Sequence, residues 1–217
     1  MNGAGEAPRD CPLCPRLVAF RSRNRHSEPS WYNGAVASFG QENVPAARLL
    51  IVGLAPGLKG ANRTGRPFTG DYAGDLLYAT LLEFGFARGR YEARPDDSLV
   101  LVDCVIANAV RCVPPENKPT PAEIATCRPF LAQRIAAMPR LAAIIVLGRV
   151  AHDSTLATLG ARKASFPFAH GARHAARPGL ALFDSFHCSR YNTNTGRLTP
   201  KMFRAVFAAV REHLDGA

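Results

Sequence analysis

The chain has 217 residues, 47% of them hydrophobic and 20% charged, which suits one compact domain over 1–217 and excludes a disordered chain. No apolar run approaches the ~20 residues a bilayer-spanning helix needs, and "MNGAGEAPRDCP" has no secretory h-region, so the expected setting is cytoplasmic, with six cysteines reduced, metal-bound or catalytic. A net charge of +10 favours a polyanionic partner but does not select one.

In chain order, "CPLCPRLVAFRSRNR" reads as a short helix, residues 24–46 as irregular, and "RLLIVG" (48–53) as a strand. The Gly-rich loop 53–71 leads into a helix over about 72–86. "SLVLVDCVIANAV" (98–110) is a second apolar, β-branched run, followed by the Pro-rich "VPPENKPTPAE". Thr120 caps the next helix and Pro121 opens it. "LAAIIVLG" (141–148) is a third strand, with a helix from Arg149 to about Leu159. "GLALFDSF" (179–186) is a fourth strand, and the amphipathic "TPKMFRAVFAAVREHL" (199–214) is the last helix.

Nearly continuous apolar strands separated by helices predict an α/β fold, a mostly parallel sheet covered on both faces. Ligands bind such sheets outside the carboxyl ends of the strands. The loops 53–71, 108–118 and 187–197 therefore predict one shared site. Basic residues collect in the same loops: Lys59, Arg63 and Arg66 in the first, Arg111 and Lys118 near the second, Arg190 and Arg197 in the third.

Within "GLAPGLKGANRTGRPFTGD", Gly60 and Gly65 have the spacing of a phosphate-binding G-x-x-x-x-G-K-[ST] loop, yet Arg66 and Pro67 stand where Lys and Ser or Thr belong. Cys11 and Cys14 form a C-x-x-C, while Cys112 and Cys127 flank the Pro-rich loop. One close pair and two spread cysteines fit a zinc ribbon poorly and suit an iron–sulfur cluster, or are simply core residues. Cys104 reads as core, and Cys188 beside His187 as a weak candidate nucleophile.

"GLAPGLKGANRTGRPFTGD", "NAVRCVPPENKPTP" with its following Cys, and "HCSRYNTNTGRLT" resemble the three motif regions of family 5 uracil-DNA glycosylases, and the match runs from residue 11 to about 205. The resemblance implies a three-layer α/β/α fold with a central four-stranded parallel sheet. It implies a [4Fe-4S] cluster on Cys11, Cys14, Cys112 and Cys127, and hydrolysis of the bond between a damaged base and deoxyribose. In family 4 the first motif carries a Glu directly after its opening Gly. Leu54 stands there in this chain, and Asp71 supplies a carboxylate later in the same loop, as in family 5.

The chemistry assigns roles accordingly. A base must leave the duplex to be reached and is then held by stacking and edge contacts. Phe68 offers the stacking face; the N–H groups of Leu54 and Ala55, with Gly57 in the same turn, meet a base carbonyl. Asn108 can read a uracil edge with both halves of its amide. His187, as a neutral imidazole, donates to uracil O2, and Asp71 positions water and opposes the sugar cation. Asn117 is linked to catalysis by its family position; by default it is a turn residue. By position alone Asp71 and Asp75 are helix-start residues; the resemblance gives Asp71 to catalysis and leaves Asp75 structural. Arg190 and Tyr191 are the expected minor-groove wedge, with Asn192, Lys118 and Arg66 as further DNA contacts, Arg66 alternatively meeting a nearby acid. The expected activity is a monofunctional glycosylase acting on DNA with uracil or other deaminated or oxidised bases. It is expected as a monomer, without membrane or nucleotide cofactor. The alternatives are a strictly uracil-directed enzyme like family 4, or a non-catalytic iron–sulfur protein that binds damaged DNA.

Overall fold

The computed structural model describes residues 5–216; residues 1–4 and 217, which the single-domain expectation also covers, lie outside the described residues. The elements are α1 (Pro15–Ser27), β1 (Leu49–Gly53), α2 (Ala61–Thr64), α3 (Tyr72–Glu83), β2 (Ala87–Arg88), β3 (Val100–Leu101) and β4 (Cys104–Asn108), then α4 (Pro121–Ala136), β5 (Ala143–Leu147), α5 (Arg149–Thr158), β6 (Arg173–Arg177), β7 (Leu180–Ser185), α6 (Arg190–Asn194) and α7 (Pro200–Asp215).

The four apolar runs become the parallel strands β4, β1, β5 and β7, in that spatial order. Every residue of these strands is buried, as befits a sheet covered on both faces. Alternate side chains serve opposite layers. Leu49, Ile51, Ile106 and Phe183 pack with Leu77 and Leu81 of α3 and Phe203 and Phe207 of α7. Leu50, Val52, Val105 and Leu182 pack with Leu131 of α4 and Leu156 of α5.

The structure differs from the sequence reading at two places. The expected four-stranded sheet gains a fifth strand, β6, antiparallel to β7. Its sequence, RHAAR, lacks an apolar face because it is an edge strand, where charge discourages further pairing. The expected single strand over 98–110 splits at Val102 and Asp103, whose φ is 55°. Asp103 turns its carboxylate to Arg48, accepting from the backbone N–H at 2.9 Å and from Nε at 2.8 Å. The leading piece, β3, then pairs with β2 in a separate two-stranded ribbon.

The helix starts follow their local chemistry. Thr120 and Glu123 form a capping box, and Thr199 caps α7. Among the described residues no helix is long and apolar enough to cross a membrane.

Candidate active site

β1 and β4 end level with each other, Gly53 opposite Asn108, so the loops that follow them leave the sheet side by side. β7 delivers a third loop at the same end. A cavity of about 650 Å³ lies between them, lined by Leu54, Ala55, Gly57, Phe68, Asp71 and Asn108 together with Asn117, His187 and Arg190. The three loops expected to converge do so.

Glycines let the first loop fold this tightly. A Cβ on Gly53 would stand 2.4 Å from Asn108 Oδ1 and 2.6 Å from Phe68 Cζ. Cβ atoms on Gly57 and Gly60 would stand 2.8 and 2.2 Å from Asp71 Oδ2. Asp71 occupies the N-cap position of α3, yet its side chain makes no capping hydrogen bond; the carboxylate lies against the two glycines, and Oδ1 is buried without a partner. Burial pushes its pKa above the usual carboxylate range, against a smaller pull from the Gly74 and Ala73 N–H groups. Asn108, 3% exposed, also leaves its Oδ1 unpartnered. Native interiors rarely leave such atoms unpaired without a reason, and here both border the cavity.

Phe68 is buried and sits at φ 53°, a left-handed backbone that costs a non-glycine residue roughly 1–2 kcal/mol. Its ring stacks with His187, centroids 5.9 Å apart and planes at 29°. Desolvation lowers the His187 pKa to about 4, so the imidazole is neutral at ordinary pH. Gly148 at the end of β5 lies against it, since a Cβ there would sit 3.5 Å from His187 Cβ.

Asn117 is exposed at the rim, where Glu116 and Asn117 both have positive φ, 55° and 57°. Arg190 stacks over Tyr72 at 5.4 Å, bridging the third loop to the first, and Tyr191 is 73% exposed. Lys118 is exposed and pairs with Glu116 at 3.2 Å.

Two expected DNA contacts are turned inward. Arg66 is 6% exposed and makes a bidentate pair with Asp97 at 2.7 and 2.8 Å, so of its two expected partners it meets the acid. Asn192 gives its amide N–H to the His187 carbonyl at 2.8 Å and braces the strand end that carries the imidazole. Cys188 is fully buried, directed to Ala73 O at 3.5 Å, and burial pushes its thiol to about 12, which removes it as a nucleophile. Lys59, Tyr72 and Ser189 also line the cavity. Their loop positions beside Gly60, Asp71 and Arg190 were the only signal for them in the sequence.

Beside this site Cys11, Cys14, Cys112 and Cys127 surround an apolar basin with Leu17, Val110 and Phe130. The Arg111 N–H donates to Cys127 Sγ at 3.3 Å, and Arg21 Nη1 approaches Cys112 Sγ at 3.7 Å. Burial pushes the Cys112 thiol to about 12 and the Cys127 thiol to about 11, so these sulfurs carry charge only with a strong positive partner. Among the described residues, the one set of three ligand-type side chains with ligand atoms within 4.8 Å of one another is His152, His174 and Asp184. The His152–Asp184–His174 group is a closed hydrogen-bond knot: Asp184 meets His152 Nδ1 at 2.7 Å, His174 Nε2 at 3.1 Å and Ala169 N–H at 3.2 Å.

Comparison with known proteins agrees with this geometry. The profile of the Uracil DNA glycosylase superfamily matches residues 39–211. The chain is 45% identical to the type-5 uracil-DNA glycosylase of Thermus thermophilus over 202 residues, 90% of each chain. It is 40% identical to that of Pyrobaculum aerophilum, covering 88% of this chain and 83% of the relative. A type-4 uracil-DNA glycosylase of Sulfurisphaera tokodaii is 28% identical over 76% of this chain and 71% of its own length. With its strands, its three loops and its cavity in the order the motifs require, the chain belongs to the uracil-DNA glycosylase superfamily.

Proposed function

We propose that this chain hydrolyses the N-glycosidic bond of uracil in DNA and leaves an abasic site, as part of base excision repair. The observation that carries this reading is the pair of unpartnered buried oxygens, Asp71 Oδ1 and Asn108 Oδ1, at one cavity with a stacked Phe68–His187 pair.

Cleavage of the bond between uracil N1 and the sugar C1′ leaves negative charge on the base and positive charge on the sugar. Phe68 stacks on the extruded base. Asn108 Oδ1 accepts from uracil N3–H and its NH₂ donates to O4; cytosine, an acceptor at N3, would leave Oδ1 unpaired. The Leu54 and Ala55 N–H groups and the neutral His187 donate to the oxygens on which charge gathers. Asp71, ionised, opposes the sugar cation, orients a water towards C1′ and accepts its proton as the new C–O bond forms. Asn117 holds that water from the rim. Arg190 and Tyr191 fill the space the base vacates, with Lys118 on the flanking phosphates.

A [4Fe-4S] cluster on Cys11, Cys14, Cys112 and Cys127 is part of this proposal. It is supported by the meeting of all four cysteines around one basin, by the N–H donor on Cys127 and by the nearby Arg21. Held by these four cysteines, the cluster would cross-link the N-terminal segment to the second loop and α4, and the hydrolytic step would use none of its chemistry.

The test incubates the protein with labelled oligonucleotides bearing uracil, hypoxanthine, xanthine or 5-hydroxymethyluracil, followed by alkaline cleavage. Uracil release that is lost in Asp71→Asn supports the proposal; uracil release at an undiminished rate in that variant overturns the mechanism. Release of the purines as well marks the wider base range; its absence marks uracil selectivity through Asn108.

A further inference from the structure

Phe68 holds a left-handed backbone; its own loop restrains the turn through Thr69, whose N–H donates to the Arg66 carbonyl and whose Oγ1 donates to the Pro67 carbonyl, each at 3.2 Å, and more distant residues add to this. The Pro67 carbonyl accepts from Tyr78 Oη at 2.5 Å, and the Phe68 carbonyl accepts from Tyr91 Oη at 3.3 Å. The first turn of α3 presses on the same carbonyl, for a Cβ on Gly74 would come within 1.9 Å of it. Arg66 reaches Thr69 Oγ1 through Nε at 2.7 Å and lies over the rings of Phe39, Tyr78 and Tyr91 at 5.0, 5.6 and 5.9 Å. What holds that guanidinium in place is Asp97, 31 residues away, through both of its terminal nitrogens.

Asp97 lies outside all three motif loops. From Glu92 to Ser98 every other residue is exposed, whereas the Asp97 side chain is completely buried. Its two oxygens also accept the Glu92 and Leu99 N–H groups, at 3.0 and 3.1 Å. Burial opposes its ionisation, but the Arg66 guanidinium and these N–H groups outweigh it and hold the carboxyl at about 2. The pair is thus charged throughout the working range, fixed in direction by two planar groups.

We infer that Asp97 is a positioning residue for base excision: through Arg66 it fixes the Pro67–Phe68 turn, and so the angle at which the Phe68 ring meets an extruded base. Tyr91 restrains the same turn separately, through the Phe68 carbonyl. The inference rests on the proposed stacking role of Phe68. It separates the arginine of "GRPF" from DNA contact and gives it a function inside the protein.

The experiment is a double-mutant cycle read by single-turnover uracil excision and by affinity for DNA carrying a tetrahydrofuran abasic analogue, which has no base to stack. Asp97→Asn is expected to slow excision about tenfold with analogue affinity unchanged, and to slow it hardly further in a Phe68→Ala background. Arg66→Lys, which keeps the charge but loses the two-pronged pairing with Asp97, should do the same about threefold, and it decides the matter by the same criterion if Asp97→Asn does not fold. Penalties that multiply in the Phe68→Ala background, or equal losses in excision and analogue affinity, would overturn the inference. Wild-type excision by Phe68→Ala alone would instead remove the stacking reading on which it rests.

Discussion

The cavity and the cysteine basin share a wall of the molecule and are finished in opposite ways. The cavity keeps Asp71 Oδ1 and Asn108 Oδ1 buried and unpartnered. In the basin donors are turned onto the cysteine segments: Arg111 N–H meets Cys127 Sγ, and Arg21 Nη2 meets the Cys11 carbonyl at 3.0 Å, while among the lining residues Arg111 keeps its Nε unpartnered. An unmade hydrogen bond in the interior costs about 1–3 kcal/mol. The first region therefore presents two acceptor oxygens for a ligand to meet, while the second ties segments of the chain together.

The sharpest way to break this contrast is Asp71→Asn. Loss of the carboxylate should lower uracil excision ~10²–10⁴-fold, the range for a positioned acid or base. The same change should raise the melting temperature at pH 7–8. The sign follows from the upward shift of the Asp71 pKa by burial: the group favours folding below its unfolded pKa and loses that contribution as pH rises through the folded value. The advantage of the Asn variant should therefore close as the pH is lowered. For the same reason, wild-type activity should fall on the acid side as Asp71 protonates. His187, already neutral above about 4, should add no break near neutrality. A melting temperature lowered by Asp71→Asn would mean that the carboxylate is a structural cap after all.

Asn108→Ala removes the second unpartnered oxygen and should cost ~10²–10³-fold in uracil excision, comparable to losing one donor to a developing anion. The loss should be equally large for 5-hydroxymethyluracil, whose N3–H and O4 edge is that of uracil. An Asn108→Ala loss on uracil that is not matched on 5-hydroxymethyluracil, which has the same N3–H and O4 edge, would place Asn108 in packing.

The cysteine basin should respond differently. Cys112 lies between Asn108 and Asn117 in the chain. Arg16 of α1 holds the far side of this segment, donating to the Lys118 carbonyl at 3.0 Å and pairing with Glu123 at 2.7 Å. Cys112→Ser should remove bound iron and the visible absorbance near ~400 nm expected of iron–sulfur thiolates. It should lower the melting temperature, and slow excision only about tenfold, because the pocket is distorted and no catalytic group is removed. Iron content, melting and rate measured on one preparation decide it; full stability with iron absent would make the basin ordinary core.

What could be read in the chain beforehand was local. The loops at 53–71, 108–118 and 187–197 carried their glycines, Phe68, Asp71, Asn108 and His187 in order, and parallel strands oblige such loops to meet. What could not be read depended on distant partners. Arg66 reads as meeting either DNA or an acid, and only the fold shows that the acid is Asp97. Asn192 reads as a DNA contact until the His187 carbonyl takes its N–H. β6 carries no apolar face because an edge strand needs none, and Asp103 breaks the second run only because Arg48 captures it. Periodicity reports burial along one segment, and none of these pairings is periodic.

The smallest effect should come from the exposed third loop beside the cavity. Tyr191 is 73% exposed on α6, so Tyr191→Ala should leave the melting temperature where it is. An aromatic side chain that stacks into DNA contributes about 1–3 kcal/mol, the lower end of which is a fewfold change in affinity. Duplex uracil substrates should therefore show a KM raised several-fold with a nearly unchanged maximal rate. Uracil in single-stranded DNA, where no stack needs a wedge, should be excised at the wild-type rate. A variant impaired equally on both substrates would put Tyr191 at the base itself, and the contrast would then extend from an unpaired pocket to an aromatic rim that closes over it.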